Sequence, residues 1–432
     1  MQRKYIWLRH IYCSRLGKAN KRACIAPGFR VYLASPHILF TPRQNKQASL
    51  LVLLSASAYI CVMKERLIGK NIEDLKAVAA EAGLPRFAAS QLAQWLYVKR
   101  VESIDGMSNI SKAGREALKE RYVTGVTRYS MVQTSADGTR KYLFPVGQAD
   151  NGIDGKGETG LRPEKLSGKA VPDSEMPESG MVEAVMIPDE DRATLCVSSQ
   201  SGCRMGCRFC MTGRQGFHGN LTAADIISQF IAIDESTSLT NAVFMGMGEP
   251  LDNYANVSRA IEILTAPWGF AWSPKRITLS TIGVLPALRR YLDESRCHLA
   301  VSLHNPFSDE RLSVMPVEKV WPIRDVVELI REYDFTGQRR VSFEYTMFSG
   351  FNDTKRHADA LIRLLSGLEC RVNLIRFHRI PDFPFGTSPD AVMENFRDRL
   401  GRAGITATIR ASRGEDILAA CGMLAGKHGM TE

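Results

Sequence analysis

The first 62 residues contain no aspartate and no glutamate, yet they carry ten basic residues: Arg3, Lys4, Arg9, Arg15, Lys18, Lys21, Arg22, Arg30, Arg43 and Lys46. The whole 432-residue chain has 56 Lys and Arg against 46 Asp and Glu, so from Met63 onward basic and acidic residues balance. The formal excess of +10 therefore belongs to the first 62 residues, and net charge gives no support to nucleic-acid binding by the body of the protein. A long hydrophobic run is lacking too. The most apolar stretch, "ASLLVLLSASAYICV" at 48 to 62, falls short of the ~20 residues of a membrane span and lies far from the N-terminus for a signal peptide. No membrane association is expected. Disulfide-framework spacing is also missing: the ten cysteines, at 13, 24, 61, 196, 203, 207, 210, 297, 370 and 421, are scattered except for one cluster. That excludes a small secreted scaffold and favours a reducing cytosol. We read Met63, which opens "MKERLIGKNIEDLKAV", as the functional start. The weaker alternative for residues 1–62 is an Arg-rich, acid-free targeting peptide.

What remains is a hydrophobic content of 44% over a length that suits one large domain with smaller ones. Residues 72–125 have apolar positions at helical spacing, interrupted at Gly83-Leu84-Pro85, and predict a small helical domain spanning 63–125. "RYSMVQTSADGTRKYLFPV" alternates around Asp137-Gly138 and predicts a β-hairpin. Residues 147–180 are Gly-, Pro- and polar-rich and read as a loop or disordered insertion within a linker of 126–194 that ends on the strand "MVEAVMIP". After residue 194, "ATLCVSS", "NAVFMGM", "RITLSTI", "HLAVSLH", "RVSFEYTMF" and "RVNLIRF" alternate with amphipathic helical segments. Six strands separated by helices predict parallel β/α units, curled into a partial or full barrel over 195–412 and followed by a C-terminal segment, 413–432. In such folds functional residues gather at the C-terminal strand ends. Chemistry-bearing residues do fall there: Cys203 to Cys210, Gly246 to Glu249, Ser280, Ser302 and His304, and Asn373 and His378.

The cluster is "GCRMGCRFC", with Cys203, Cys207 and Cys210. Three thiols are one short of a closed zinc site or an all-cysteine iron–sulfur cluster. The nearest histidine, His218, stands in no familiar zinc spacing, and three unliganded thiols would be wasted in a loop rich in Gly, Arg and Thr. Cys-x3-Cys-x2-Cys with Phe209 before the last cysteine suits a [4Fe–4S] cluster held by three thiolates, one iron being left open for an external chelate.

This motif resembles the radical S-adenosylmethionine (SAM) signature, in which the open iron binds the amino and carboxylate groups of SAM. "GMGEP" at 246–250, about 40 residues further on and after a strand, is similar to that superfamily's SAM-binding turn. From Met63 to the C-terminus the chain resembles the RlmN family, on "VEAVMIPDEDRATLCVSSQSGCRMGCRFCMTGRQGF", "MGMGEPLDNY", "ITLSTIGVLPAL", "LAVSLHNPFSDERLSVMPV" and "RASRGEDILAACG". The resemblance implies an α/β fold, a radical SAM partial (β/α)6 barrel with an N-terminal helical domain and a hairpin extension. It implies methylation of carbon 2 of an adenine in 23S rRNA and of an adenine in tRNAs. Cys203, Cys207 and Cys210 would hold the cluster, while Gly248, Glu249, Ser280, Ser302, Leu303 and His304 would line the SAM site. Glu183 would accept the ring proton, Cys421 would become S-methylcysteine, and Cys196 would later pair with it in a disulfide. An electron donor such as flavodoxin or ferredoxin and a monomeric state go with this reading.

The chemistry implied is coherent. Carbon 2 of adenine is electrophilic, so ordinary displacement from a sulfonium is closed and a radical route, supplied by cofactors, is required. Two other readings stay open: a Cfr-type enzyme acting at carbon 8, and a non-catalytic RNA-binding factor with a structural cluster. The chain departs from the family at "NLIRFHRIPDFPFG", where His378 stands in place of the usual asparagine and Arg376 in place of proline. Histidine still offers a hydrogen bond, and His378 is carried over as a SAM contact. "YVKRV" and "KERY" are the candidate phosphate contacts of the helical domain.

Overall fold

Strand-forming alternation and short helical stretches follow one another along the chain, and the sheet keeps that order. The computed structural model describes residues 64–146, 180–335, 337 and 339–425. The 1–62 extension and, apart from Gly180, the 147–180 insertion lie outside the described residues.

The segment around Asp137-Gly138 forms β1 (Met131–Thr134) and β2 (Arg140–Val146), paired antiparallel. Gly138 sits at φ +83°, a conformation that costs glycine little, and Thr139 N donates to the Asp137 carboxylate at 2.9 Å to close the turn. β3 (Gly180–Asp189) and β4 (Arg192–Cys196) continue the antiparallel ladder. The chain then switches to parallel pairing through β5 (Asn241–Phe244), β6 (Ile277–Thr281), β7 (His298–Ser302), β8 (Val341–Met347), β9 (Cys370–Arg376) and β10 (Thr406–Ile409). The ten strands stand in one sheet in sequence order, with β1 and β10 as its edges among the described residues.

Helices supply the crossovers that parallel pairing demands: α4 (Ala223–Ile231), α5 (Tyr254–Thr265), α6 (Leu285–Glu294), α7 (Ser308–Val314), α8 (Ile323–Arg331), α9 (Lys355–Leu365) and α10 (Asp390–Arg402). In α8 the residues Ile323, Val326, Val327, Leu329 and Ile330 are buried, one apolar stripe at helical spacing. Thr222 caps α4 reciprocally with Asp225, so the helix starts where its sequence signal lies. β8 is buried along nearly its whole length, as expected of a strand covered on both faces. The six expected β/α units are all present. A seventh parallel strand, β10, joins them; its four residues "TATI" are only exposed or half-buried, too weak a pattern to announce an edge strand.

Ahead of the sheet, α1 (Ile72–Glu81) is capped by an Asn71–Asp74 box and ends at Gly83 (φ +65°), and α2 (Ala88–Ala93) runs into a π-turn at Gln94–Val98. With α3 (Lys112–Arg121) these helices bury Leu75, Val78, Leu92, Leu96 and Leu118 in a core continuous with that of the sheet. Arg66 reinforces the join by pairing with Asp225 of α4 at 2.5 Å. From Arg66 onward the chain is one compact unit. Among the described residues no helix is long and apolar enough to cross a membrane.

Candidate active site

β4 ends at Cys196, and the chain enters a short ribbon in which Gln200–Gly202 pairs with Phe217–Asn220. The three-cysteine loop spans the ribbon. Gly202 (φ +69°) lies so close to Gly216 that a Cβ would fall 2.0 Å from its carbonyl oxygen, so only glycine allows the loop to close. Arg204 is buried, pairs with Asp252 at 2.7 Å and lies over the Phe217 ring at 3.7 Å. Gln200 donates to the same Asp252 at 2.8 Å and accepts from Glu249 N at 2.8 Å. The cysteine loop and the glycine turn after β5 are thus fastened to each other by side chains of both.

Cys203, Cys207 and Cys210 all line one cavity of about 160 Å³. Burial, then the neighbouring thiols, pushes Cys203 well up and Cys207 to about 12, and burial raises Cys210. Three crowded thiols that resist ionisation on their own are relieved of that penalty when metal takes them as thiolates. Among the described residues no three His, Cys, Asp or Glu side chains converge closely enough for a single metal ion. The thiols instead surround a space, and soft sulfur donors around a space fit an iron–sulfur cluster.

The opposite wall is the glycine turn. Gly248 (φ +98°) would place a Cβ 2.5 Å from Gln200 Cβ, which leaves its backbone bare toward the cavity it lines. Glu249 is buried and accepts from Leu251 N (3.0 Å), Thr281 Oγ1 (2.6 Å) and Ile282 N (3.0 Å). Burial raises its carboxyl from 4.5 to about 7 despite these donors. The folded protein therefore holds a proton there that the unfolded chain has released. Its contribution to stability is full below about pH 4.5 and is lost as pH rises through about 7. Thermal melts of ligand-free protein across that window are expected to fall more steeply for the wild type than for Glu249→Gln. Equal slopes would contradict this.

Ser280 and Ser302 line the same cavity from β6 and β7, as does His304 just past β7. His304 is a non-glycine residue at φ +54°, and the turn is held from several sides. Leu303 N and His304 N donate to Glu344 O at 3.0 and 3.2 Å, and Asn352 donates to His304 O at 2.6 Å. His304 Nδ1 accepts from Thr346 N at 2.9 Å, so the ring proton must sit on Nε2. Burial, then the nearby Arg311, lowers this imidazole to about 3; it is neutral at any working pH. Leu303 is fully buried and does not line the cavity. Below the turn, Arg311 of α7 is fully buried, donates to Leu303 O and Ser302 O at 3.0 Å each, and pairs with buried Glu318. Arg311→Met strands the Glu318 charge, and denaturant titration is expected to show a loss of about 3–5 kcal/mol.

A second cavity, about 80 Å³, adjoins the first and is lined by Cys196, with Cys210, Met245, Gly246, Arg410, Cys421 and Gly422 common to both. Cys421 is exposed and Cys196 buried; all seven described cysteines are free. The segment carrying Cys421 is seated on the cysteine loop: Met211 N donates to Gly422 O at 2.8 Å, Thr212 Oγ1 to Leu424 O at 2.7 Å, and Gln215 Nε2 to Ala425 O at 2.6 Å. Strand register places the rest. Lys141 is opposite Val185 and Val185 opposite Cys196, so Lys141, Glu183, Val185 and Cys196 share one sheet face. Glu183 is buried, lies 3.2 Å from Lys141 Nζ and accepts from Ala425 N at 2.7 Å.

Of the expected site residues, Cys203, Cys207, Cys210, Gly248, Glu249, Ser280, Ser302, His304 and Cys421 meet at the larger cavity, and Cys196 joins Cys421 at the smaller. Glu183 and Leu303 do not line either cavity, and neither does His378. Its ring meets Ser412 Oγ at 3.1 Å and Glu415 at 3.2 Å, while Ile375 and Phe377 of the same stretch line the larger cavity. Sequence reading missed Glu344 and Arg410, which both line the larger cavity, and Lys141 beside Glu183. The one signal available was a charged residue inside an otherwise apolar strand, "VSFEYTM".

Residues 197–362 match the Radical SAM superfamily, and residues 66–123 match the Ribosomal RNA large subunit methyltransferase N-terminal domain. A probable dual-specificity RNA methyltransferase RlmN from Porphyromonas gingivalis is 54% identical over 83% of this chain and 96% of its own length. The chain belongs to the RlmN family. A second RlmN relative, from Parabacteroides distasonis, is 52% identical over 86% of this chain and 99% of its own length. The crystal structure of a radical SAM methyltransferase from Sphaerobacter thermophilus superposes with a TM-score of 0.72 at 35% identity, covering 84% of this chain and 99% of that one. Membership of the RlmN family makes this chain a radical SAM methyltransferase with a [4Fe–4S] cluster and SAM as its cofactors, and the thiol-lined space beside the Gly248 cradle fits both.

Proposed function

We propose that this protein methylates carbon 2 of an adenine in 23S rRNA and of an adenine in tRNAs. The observation that carries the reading is the meeting of an exposed thiol, Cys421, with the three-cysteine loop at one cavity and with a buried thiol, Cys196, at the next. When bound, the cluster and SAM supply a 5′-deoxyadenosyl radical at the thiol-lined cavity. Cys421, exposed on a segment hydrogen-bonded to the loop, takes a methyl group from SAM as a thiolate and presents it to an incoming base. Glu183 accepts the ring proton. The segment that carries Cys421 also carries Ala425, whose N–H donates to Glu183. Cys196, buried behind Cys421, displaces the product by thiol attack on the Cys421 sulfur.

The target adenine has to leave its stack to reach this site. Among the described residues the candidate phosphate contacts of the helical domain have partners within the protein: Lys99 lies over the Trp95 ring, Arg100 donates to Ser236, and Lys119 and Arg121 pair with Asp105 and Glu81. A low-potential donor such as flavodoxin or ferredoxin belongs to the proposal. So does a monomeric state. Nucleoside mass spectrometry of rRNA and tRNA incubated with reconstituted enzyme, SAM and reductant is expected to find 2-methyladenosine. Finding 8-methyladenosine would assign the carbon-8 reaction instead, and neither methyladenosine nor 5′-deoxyadenosine would leave a non-catalytic RNA-binding factor.

A further inference from the structure

Thiol displacement at Cys196 has an obstacle. Burial pushes this thiol up to about 12, and the neighbouring Cys421 raises it further. Yet the thiolate is the attacking species. The charged and titratable groups around it are few: Cys421 and Arg410 at the smaller cavity with Cys210 across it, and Lys141 and Glu183 along the same sheet face. Lys141 is engaged by Glu183 at 3.2 Å. Arg410 follows β10 and is the one cation that lines both cavities among the described residues. Its guanidinium is oriented by Glu344 Oε2 at 3.5 Å and by Met245 Sδ at 3.4 Å. Glu344 is in turn fixed by Asn373 at 2.7 Å and Ser342 at 3.1 Å, so the cation is held from two strands.

On the roles given above to Cys196 and Cys421, we propose that Arg410 is a positioning residue for product release, holding the Cys196 thiolate against Cys421. In that step a Cys196–Cys421 S–S bond forms and the bond from the Cys421 sulfur to the methylene carbon breaks. The electron pair of the broken bond goes to the methylene, which the adenine ring stabilises and which takes a proton from water to become the methyl group. Both sulfurs are oxidised, the carbon is reduced, and an external dithiol returns the disulfide to thiols. Arg410 changes neither the atoms nor the electrons; it lowers the barrier to placing negative charge on a buried sulfur.

The test follows decay of the covalent protein–RNA adduct on denaturing gels, in single turnovers of reconstituted full-length enzyme over a range of pH. Arg410→Gln is expected to slow decay about tenfold or more near neutral pH and to recover as pH rises, because more thiolate then forms without the cation. Arg410→Lys, which keeps the charge, is expected to stay within about threefold of wild type. Wild-type decay and pH profile in Arg410→Gln would overturn the assignment, as would a loss in Arg410→Lys equal to that in Arg410→Gln. If Arg410→Gln does not fold, Arg410→Met, which also removes the charge, is read in its place against the same outcomes. Cys196→Ala separates the two levels: adduct trapped there but released normally in Arg410→Gln sinks only the role of Arg410, whereas no adduct in Cys196→Ala sinks the reading beneath it.

Discussion

Cys196→Ala is expected to leave the protein covalently joined to its RNA, and Cys421→Ala is expected to leave no adduct at all. The contrast follows from where the two thiols sit. Cys421 is exposed and lines the cavity of the three-cysteine loop, so its loss removes the sulfur that carries the new carbon. Methyl transfer should fall by at least about 10⁴-fold, the order lost when a covalent nucleophile is deleted. Cys196 is buried and shares only the smaller cavity with Cys421. Its loss leaves the carbon-forming steps intact and removes the attack that frees the product. Denaturing gels with labelled RNA should show a slow-migrating band for Cys196→Ala that disappears in the double variant with Cys421→Ala. Free, methylated RNA from Cys196→Ala at the wild-type rate would remove Cys196 from the reaction.

The second large effect concerns the cysteine loop. Cys203→Ala, Cys207→Ala and Cys210→Ala should each abolish retained iron, visible absorbance and SAM cleavage together, because three thiolates are the least that hold such a cluster. Methylation should fall by at least about 10⁴-fold in each. Cys297→Ala and Cys370→Ala are the controls. Cys297 is buried just past α6, its N–H donating to Ser295 Oγ, and Cys370 opens β9; neither lines the thiol-bearing cavities. Iron content is expected to be unchanged in both. Retention of iron and SAM cleavage in Cys207→Ala would mean that the loop is not the cluster site.

Much of this arrangement was legible before any coordinates. Three thiols in nine residues, a glycine turn after the next strand and polar residues at successive strand ends are local signals, and each of them lines the larger cavity. What could not be read depends on contacts across long separations. Arg204 and Asp252 stand 48 positions apart and meet inside the protein, where their pairing fastens loop to turn. Glu344 lies in a strand buried along most of its length, so its alternation gave no sign of which residue faces the cavity. Arg410 follows β10, the strand too short and too exposed to be expected. Lys141 in a hairpin reads as a solvated cation; only the register with β3 places it against Glu183. His378 went astray for the opposite reason. A position inferred from a linear motif says nothing of side-chain direction, and this ring is drawn to Ser412 and Glu415.

The central claim is that Cys421 is itself the first methyl acceptor. Its most direct measurement is mass spectrometry of the Cys421 peptide from active enzyme, with Cys421→Ala as control. One added methyl group on Cys421 is expected, acquired in the presence of SAM and before RNA is supplied. An unmodified Cys421 peptide from enzyme that methylates RNA would contradict it.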